Sequence, residues 1–241
     1  MTIEAGPLVR QAVYTPPTNR DTPHERREKE YATTAARQRM NDKRAKKQLE
    51  LLLAANFDHR DVVLTLTYDR EHLPKNRKAA VRCLTRFIRR LRDSLRRQGR
   101  SLDYIYTTEE KHGDGRLHHH LAINLTVKDR DLVCSLWEWG AVVDMKHLER
   151  DGHGHVNYYA IAEYMAKESV EGRPVGARMW TCSKYLRRPV RRTEWVGENT
   201  VLMVPAACYK LQEECRWSYW GGYQYLEYYD PGYKRAEHKR E

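Results

Sequence analysis

The sequence predicts an α+β sandwich, in which a sheet of short strands is covered by helices. Two observations carry this prediction. Between residues 56 and 195, short segments rich in β-branched and alternating apolar residues are interleaved with longer segments of helical periodicity. An Asp-Gly turn signal at 114–115 also joins two of the short segments as a hairpin. The predicted order is therefore strand, helix, two hairpin strands, helix, strand and helix.

Each element of this region follows from a local pattern. Residues 62–68 alternate apolar and β-branched residues and predict the first strand. Residues 70–100 predict an amphipathic helix, with an apolar stripe formed by Val81, Leu84, Phe87 or Ile88, Leu91 and Leu95. The remaining predicted elements are strands 104–110 and 117–125, a helix at 129–139, a strand at 141–148 and a helix at 157–170 with Asn157 as its N-cap.

We divide the 241 residues into three segments. Residues 1–55 form a basic, helical N-terminal extension, although we expect residues 1–21 of it to be extended or disordered. Residues 56–195 form the core domain. Residues 196–241 form a strand and an aromatic segment that are expected to pack on the core, followed by a charged tail.

The charge of the chain indicates a nucleic-acid partner. Lys and Arg number 44 against 33 Asp and Glu, a net charge of +11. Residues 70–100 alone hold twelve basic and two acidic residues, which is too few acids for ordinary salt bridges along a helix. We favour phosphate contact by this helix over a merely solvated surface. The residues expected to make it are Arg82, Arg86, Arg89 and Arg90.

A second basic run, residues 173–192, is interleaved with Trp180 and Tyr185. Arginine next to aromatic side chains suits single-stranded DNA, whose bases stack while its phosphates are neutralised. Trp180 is equally compatible with a place in the core. The expected DNA contacts of this run are Arg178, Lys184, Arg187 and Arg188.

Several classes of protein are disfavoured. The five cysteines form no Cys-x-x-Cys pair, so we expect neither a zinc ribbon nor a disulfide framework. An odd cysteine count without a secretory signal indicates a reducing, cytoplasmic environment. No apolar run approaches transmembrane length, and no Gly-rich phosphate loop indicates an ATPase. We therefore expect no membrane partner.

Three successive histidines give the most specific chemical signal. On a strand, His118 and His120 point to one face and His119 to the other. Glu110 ends the preceding strand, so a hairpin brings a carboxylate beside the two imidazoles. Two histidines and one carboxylate form a metal site with open positions. A shift of one residue would exchange Glu110 for Glu109, and an isolated His-x-His is more often an ordinary strand feature.

The predicted helix 157–170 carries a second candidate constellation. Tyr164 and Lys167 are three residues apart and share a helical face. A tyrosine can act as a nucleophile where a cation or metal stabilises its phenolate. Tyr158 and Tyr159 precede it, and Tyr159 is the reserve candidate. A rival His-x-His at residues 153–155 lies in a Gly-containing loop and is a weaker metal site.

Taken in order, the strand 62–68, Glu110 with the two histidines, and Tyr164 with Lys167 resemble the three motifs of HUH endonucleases. These enzymes are the rolling-circle replication initiators of plasmids and small phages. The closest resemblance is to filamentous-phage replication proteins and related phage and plasmid initiators. It extends over residues 50–230.

The resemblance implies a fold and a reaction. The fold is an HUH-like central antiparallel sheet with flanking helices, with the metal site on one face and the helices on the other. The reaction is nicking and joining of one DNA strand at an origin, with Tyr164 joined to the 5′-phosphate and a free 3′-OH released. His118, His120 and Glu110 would bind Mg²⁺ or Mn²⁺, and Lys167 would assist.

The implied partners are single-stranded or hairpin origin DNA together with host helicase and polymerase. Two alternatives stay open from the sequence. One is a basic DNA-binding regulator without catalysis, and the other is a transposase or relaxase of the same superfamily.

Overall fold

A computed structural model describes the protein at residues 1–16, 34–109, 117–140, 143–167, 178–197, 199–218 and 221–235. Within these residues it contains four α-helices and two five-stranded sheets. The helices are α1 (Thr34–Asn56), α2 (Arg77–Arg97), α3 (Arg130–Leu136) and α4 (Tyr158–Met165), and a 3₁₀ turn at Val127–Asp129 precedes α3.

The strands form two antiparallel sheets. The central sheet has the order β6-β3-β5-β4-β7, and the terminal sheet has the order β8-β1-β2-β10-β9. The strands are β1 (Thr2–Ala5), β2 (Leu8–Tyr14), β3 (Val62–Thr67), β4 (Tyr104–Glu109), β5 (His118–Ile123), β6 (Val143–His147), β7 (Thr181–Cys182), β8 (Val190–Arg192), β9 (Tyr209–Ser218) and β10 (Gly221–Tyr229). The predicted α+β class and the antiparallel central sheet are confirmed.

Helices cover both faces of the central sheet. The apolar stripe of α2 packs on one face, where Leu84, Phe87 and Leu91 contact alternate residues of β3 and β5. The C-terminal half of α1 and the helix α4 pack on the other face in a second cluster. The implied arrangement, with helices only on the face away from the metal site, is therefore wrong. The α2 face of β3 and β5 is apolar apart from His119, whereas the other face carries Val63 and Ala122 beside the Thr and His side chains of the candidate site.

The helix α1 lies between the two sheets. Its buried leucines, Leu49, Leu52 and Leu53, share one cluster with Ala5 and Leu8 of the terminal sheet and with residues of the central sheet. The N-terminal extension thus provides part of the core. This follows from its apolar residues, which are concentrated in the last two turns of the helix.

The two ends of the chain meet in the terminal sheet. β2 pairs with β10 from Leu8 opposite Tyr229 to Tyr14 opposite Tyr223, and β1 pairs with β8. Residues 2–5 and 8–14 are strands and therefore extended, one of the two states expected for residues 1–21, whereas residues 17–21 lie outside the described part of the chain. The pairing of these strands was not predicted because their partners β8 and β10 are about two hundred residues away. The boundaries after residues 55 and 195 stay predictions.

Two further features concern the cysteines and the helices. All five cysteines are free thiols. Among the described residues, none of the helices combines the length and apolar character needed to cross a bilayer.

Gly6 offers a test of the packing between α1 and the terminal sheet. It has φ +61°, and a Cβ there would lie 2.1 Å from the carbonyl oxygen of Ala54. Gly99 has φ +70°, yet a Cβ there meets nothing within 4 Å. We expect Gly99→Ala to cost about 1 kcal/mol of unfolding free energy from its backbone conformation alone. Gly6→Ala should cost at least about 2 kcal/mol more because of the clash.

Urea denaturation followed by circular dichroism measures both variants. An equal loss of unfolding free energy in the two variants would contradict the close contact between Gly6 and Ala54.

Candidate active site

The candidate site begins with the register of β4 and β5. Glu109 lies opposite His118, and Thr107 lies opposite His120. Side chains directly opposite each other point to the same face of a sheet. Glu109, His118 and His120 therefore share one face, which is the face covered by α1 and α4.

His120 lies at the centre of the site and is buried. Its Nε2 is 2.8 Å from Oε2 of Glu109, and its Nδ1 is 3.1 Å from Oγ1 of Thr65. Burial lowers the pKa of His120 below its ordinary value, the nearby charge of Lys167 acts in the same direction, and the bond with Glu109 opposes both. Burial thus favours the neutral form of His120, which is the form that binds metal ions.

His119 points to the opposite face and is fully buried. Its Nε2 is 2.8 Å from the hydroxyl of Tyr68, and its Nδ1 is 3.0 Å from Oγ1 of Thr108. The Tyr68 hydroxyl donates to the carbonyl of Ala80, so Nε2–H of His119 donates to Tyr68. Burial lowers the pKa of His119 to about 3. Its role is structural, because it connects β5 to both neighbouring strands and to α2.

Tyr164 reaches the same face from α4. Its hydroxyl is 3.3 Å from Oγ1 of Thr65, and its ring centre is 4.7 Å from that of His120. The Tyr164 side chain is 40% exposed, which leaves it accessible to a substrate. The predicted convergence of Tyr164 with the histidine strand is therefore present in the structure.

Lys167 connects Tyr164 to Glu109. Its Nζ lies 4.8 Å from the ring centre of Tyr164 and 3.5 Å from Oε2 of Glu109. The helix α4 begins at the predicted N-cap, because the side chain of Asn157 accepts a hydrogen bond from the backbone N–H of Ala160 at 3.0 Å. Capping fixes the start of this short helix and with it the position of Tyr164.

The other two tyrosines of α4 face elsewhere. Tyr158 is 3% exposed and donates a hydrogen bond of 2.9 Å to the carbonyl of Phe57. Burial raises the pKa of Tyr158, which disfavours its phenolate. Tyr159, the reserve candidate, is exposed and lines a separate cavity beside Arg10 and His155. Neither tyrosine is brought to His120.

Thr65 was not assigned a role from the sequence, and Glu109 was named only as the alternative to Glu110. Thr65 connects His120 and Tyr164, and the only signal for it was a hydroxyl at two alternate positions of β3, Thr65 and Thr67. Glu109 occupies the position beside His120, whereas the predicted ligand Glu110 lies outside the described residues. The sequence left the choice between the two glutamates open because the hairpin register could not be fixed.

The rival histidine pair is part of a closed turn. Backbone N–H groups of His153 and His155 both donate to the carboxylate of Asp151 at 2.9 Å. The ring of His155 stacks on Tyr229 of β10 with centres 4.3 Å apart. In sequence this loop joins β6 to α4, and through His155 it packs against the terminal sheet rather than against Tyr164.

The arginines predicted on α2 are not brought to this site. They are exposed on the outer side of α2, which packs on the opposite face of the central sheet. Arg90 pairs with Glu138 at 2.8 Å. DNA contact by the four arginines of α2 stays a prediction; they are Arg82, Arg86, Arg89 and Arg90.

The second basic run lies at the β4 edge of the central sheet, where β7 pairs with β4. Asn56 fixes this segment, since its side chain both accepts from the N–H of Arg187 and donates to its carbonyl. Tyr185 is 60% exposed, with Nζ of Lys184 5.2 Å from its ring centre. Trp180 donates to the carbonyl of Ala45 and packs against the core. The DNA contacts predicted here for Arg178, Lys184, Arg187 and Arg188 are likewise untested.

Two donor atoms of the site lie at the spacing of neighbouring metal ligands. Adjacent ligands of an octahedral ion with bonds of about 2.1 Å lie about 3 Å apart, and Nε2 of His120 is 2.8 Å from Oε2 of Glu109. Within the described ranges, however, no three His, Cys, Asp or Glu side chains are grouped closely enough to hold a metal ion. His118, half-buried on the same face, is the residue whose side chain would have to join the other two.

Comparison with known proteins identifies the segment that carries this site. Residues 61–169, a little under half of the chain, match the model of a family described as replication-associated protein ORF2. Comparisons with curated proteins and with solved structures gave no significant match. The matched range contains β3 to β6, α2 to α4, both flanking histidines and Tyr164. The site-bearing segment is therefore similar to this family of replication-associated proteins, in agreement with the resemblance to phage and plasmid initiators.

Proposed function

We propose that the protein initiates rolling-circle replication by nicking one DNA strand at an origin, with Tyr164 as the nucleophile. The observation that supports this most strongly is the hydroxyl of Thr65, which lies within hydrogen-bonding distance of both Tyr164 and His120. A replication-associated family and an accessible tyrosine beside a neutral, buried histidine fit strand transfer better than simple DNA binding.

The proposed reaction exchanges one phosphoester bond for another. The phenol oxygen of Tyr164 bonds to the scissile phosphorus as the phenol proton leaves. The bond from phosphorus to the 3′ oxygen breaks, and that oxygen gains a proton to become a free 3′-OH. The 5′-phosphate remains joined to Tyr164. Reversal of the same step by another 3′-OH rejoins the strand.

The metal-binding residues in this proposal are His118, His120 and Glu109. Mg²⁺ or Mn²⁺, when bound, offsets negative charge on the scissile phosphate. With Nε2 of His120 as the ligand atom, Nδ1 carries the proton and donates to Thr65. Oγ1–H of Thr65 then donates to the phenol oxygen of Tyr164 and stabilises its negative charge. Lys167 supplies a further positive charge beside the ring.

A panel of tyrosine variants tests the nucleophile. The protein would be incubated with a random single-stranded DNA library and Mn²⁺, and covalent adducts would be separated on a denaturing gel. Tyr164→Phe should abolish the adduct with little change in stability, because the hydrogen bond that it removes, between Tyr164 and Thr65, is exposed to solvent. Tyr158→Phe should retain the adduct but lose about 1 kcal/mol of unfolding free energy with its buried hydrogen bond.

Tyr159→Phe is the matched control, since it removes the hydroxyl of another exposed tyrosine from the same helix. An adduct that survives Tyr164→Phe and disappears in Tyr159→Phe would contradict the assignment. The wild type would also be tested with origin DNA. If it binds DNA in a salt-dependent way but forms no adduct, a non-catalytic regulator is favoured.

The carboxylate ligand can be tested without any cleavage reaction. Mn²⁺ affinity would be measured by calorimetry for Glu109→Gln and Glu110→Gln, two variants that remove the same charge at neighbouring positions. Loss of a residue that only hydrogen-bonds to a metal ligand typically weakens metal affinity by roughly tenfold. Because Glu109 is proposed as a direct ligand, we expect Glu109→Gln to weaken Mn²⁺ affinity by more than this. Glu110→Gln should change it little. The reverse result would return the ligand role to Glu110.

Thr65 is proposed as a positioning residue for Tyr164. Thr65→Val keeps the shape of the side chain but removes both hydrogen bonds. It should slow adduct formation by about 10- to 100-fold with DNA affinity unchanged. Thr65→Ser restores the hydroxyl and should restore the rate. Equal losses in the Val and Ser variants would show that packing, and not the hydroxyl, is what matters.

A further inference from the structure

A basic groove lies at the end of the central sheet remote from Tyr164. Its volume is about 680 Å³. None of the described residues that line it is acidic. Its ionisable lining consists of His59, Arg60, Lys128, His147 and Arg150.

The sheet register separates the groove from the candidate active site. Val62 pairs with Ile123 and with His147 at the groove end, whereas Thr67 pairs with His118 at the other end. Five residue steps along β5 correspond to about 17 Å. The groove is therefore a separate surface that no step of the proposed reaction uses.

The charge of the groove is available for a partner. Lys128 and Arg150 are exposed, and neither forms an ion pair within the described residues. Two acids next to lining residues are already paired, since Asp129 binds Arg100 at 2.6 Å and Asp58 binds Arg60 at 2.8 Å. Glu149, which precedes Arg150, is exposed but does not line the groove. The lining itself carries no acidic side chain, so the concave surface has one sign of charge. Such a surface attracts a polyanion.

The groove is also adjacent to the basic end of α2. The ion pair between Arg100 and Asp129 joins the residues after α2 to the 3₁₀ turn that carries Lys128. The last turn of α2 contributes Arg96 and Arg97. Positive charge therefore continues from the end of α2 into the groove.

The lining favours a duplex over a single strand. Single-stranded DNA is held by aromatic side chains on which bases stack, and no Phe, Tyr or Trp is among the described residues that line the groove. Duplex DNA presents its backbone phosphates to basic side chains, without a need for stacking. We propose that this groove binds the phosphate backbone of double-stranded DNA. The idea that this duplex flanks the strand cut by Tyr164 rests on the proposed function. The distance of about 17 Å between the groove and the candidate active site corresponds to about five base pairs of duplex.

The test measures binding alone and needs neither metal nor cleavage. Affinity for a random-sequence duplex of about 30 base pairs would be measured by fluorescence anisotropy over a range of salt concentrations. For Lys128→Ala with Arg150→Ala, the slope of log affinity against log salt should become shallower by about 1.8, because two phosphate contacts are lost. Affinity near 0.1 M salt should fall at least about tenfold.

Two double variants serve as controls. Lys128→Arg with Arg150→Lys retains both charges and should retain the slope. Lys210→Ala with Arg216→Ala removes the same net charge from β9, where each residue is paired with a glutamate. It should leave duplex binding nearly unchanged. Thermal unfolding of each variant shows that the fold is intact.

Three outcomes would overturn the proposal. Equal weakening by the groove and β9 variants would show an effect of net charge only. A loss of single-stranded binding without a loss of duplex binding would remove the duplex assignment. Unchanged DNA binding in the groove variant would show that the groove does not bind DNA, and an acidic protein segment would then be the alternative partner. Adduct formation on a short single strand should be unaffected, so failure here is distinguishable from failure of the proposed function.

Discussion

The site depends on the register in which β5 pairs with its two neighbours. The side-chain period of a strand is two residues, so a slip of one residue would turn His118 and His120 toward α2. His119 opposes such a slip because it is buried and its ring nitrogens contact Tyr68 and Thr108 on either side. Moving it to the other face would leave these buried polar groups without partners, which costs about 1–3 kcal/mol for each group. One structural histidine thus fixes the direction of the two beside it.

The nucleophile depends on packing that is distributed over the whole chain. Tyr164 stands on a helix of eight residues that buries Ile161, Ala162 and Met165. These residues pack in the cluster that α1 shares with both sheets. A helix this short is not stable alone and takes its position from tertiary contacts. The distance between Tyr164 and His120 is therefore fixed in part by the terminal strands, which contribute no residue to the site.

Local pattern was enough to predict some features of this structure. The alternation in β3, the β-prone run of β5, the apolar stripe of α2 and the N-cap at Asn157 each follow from neighbouring residues, and the structure contains these elements. The pairing of β2 with β10 was not predictable, because the two strands are about two hundred residues apart and no local sequence pattern indicates that they pair. The position of Glu109 depends on the hairpin register, and Thr65 gains its role only when α4 is placed over β3. Neither relation is encoded within one element.

We propose that one face of β4 and β5 holds a divalent ion beside Tyr164. Anomalous scattering from crystals grown with Mn²⁺ would test this proposal. We expect one strong peak within about 2.3 Å of donor atoms from His118, His120 and Glu109, with the phenol of Tyr164 on the same side of the sheet. A peak held instead by His153 and His155, or by donors on the α2 face, would contradict it.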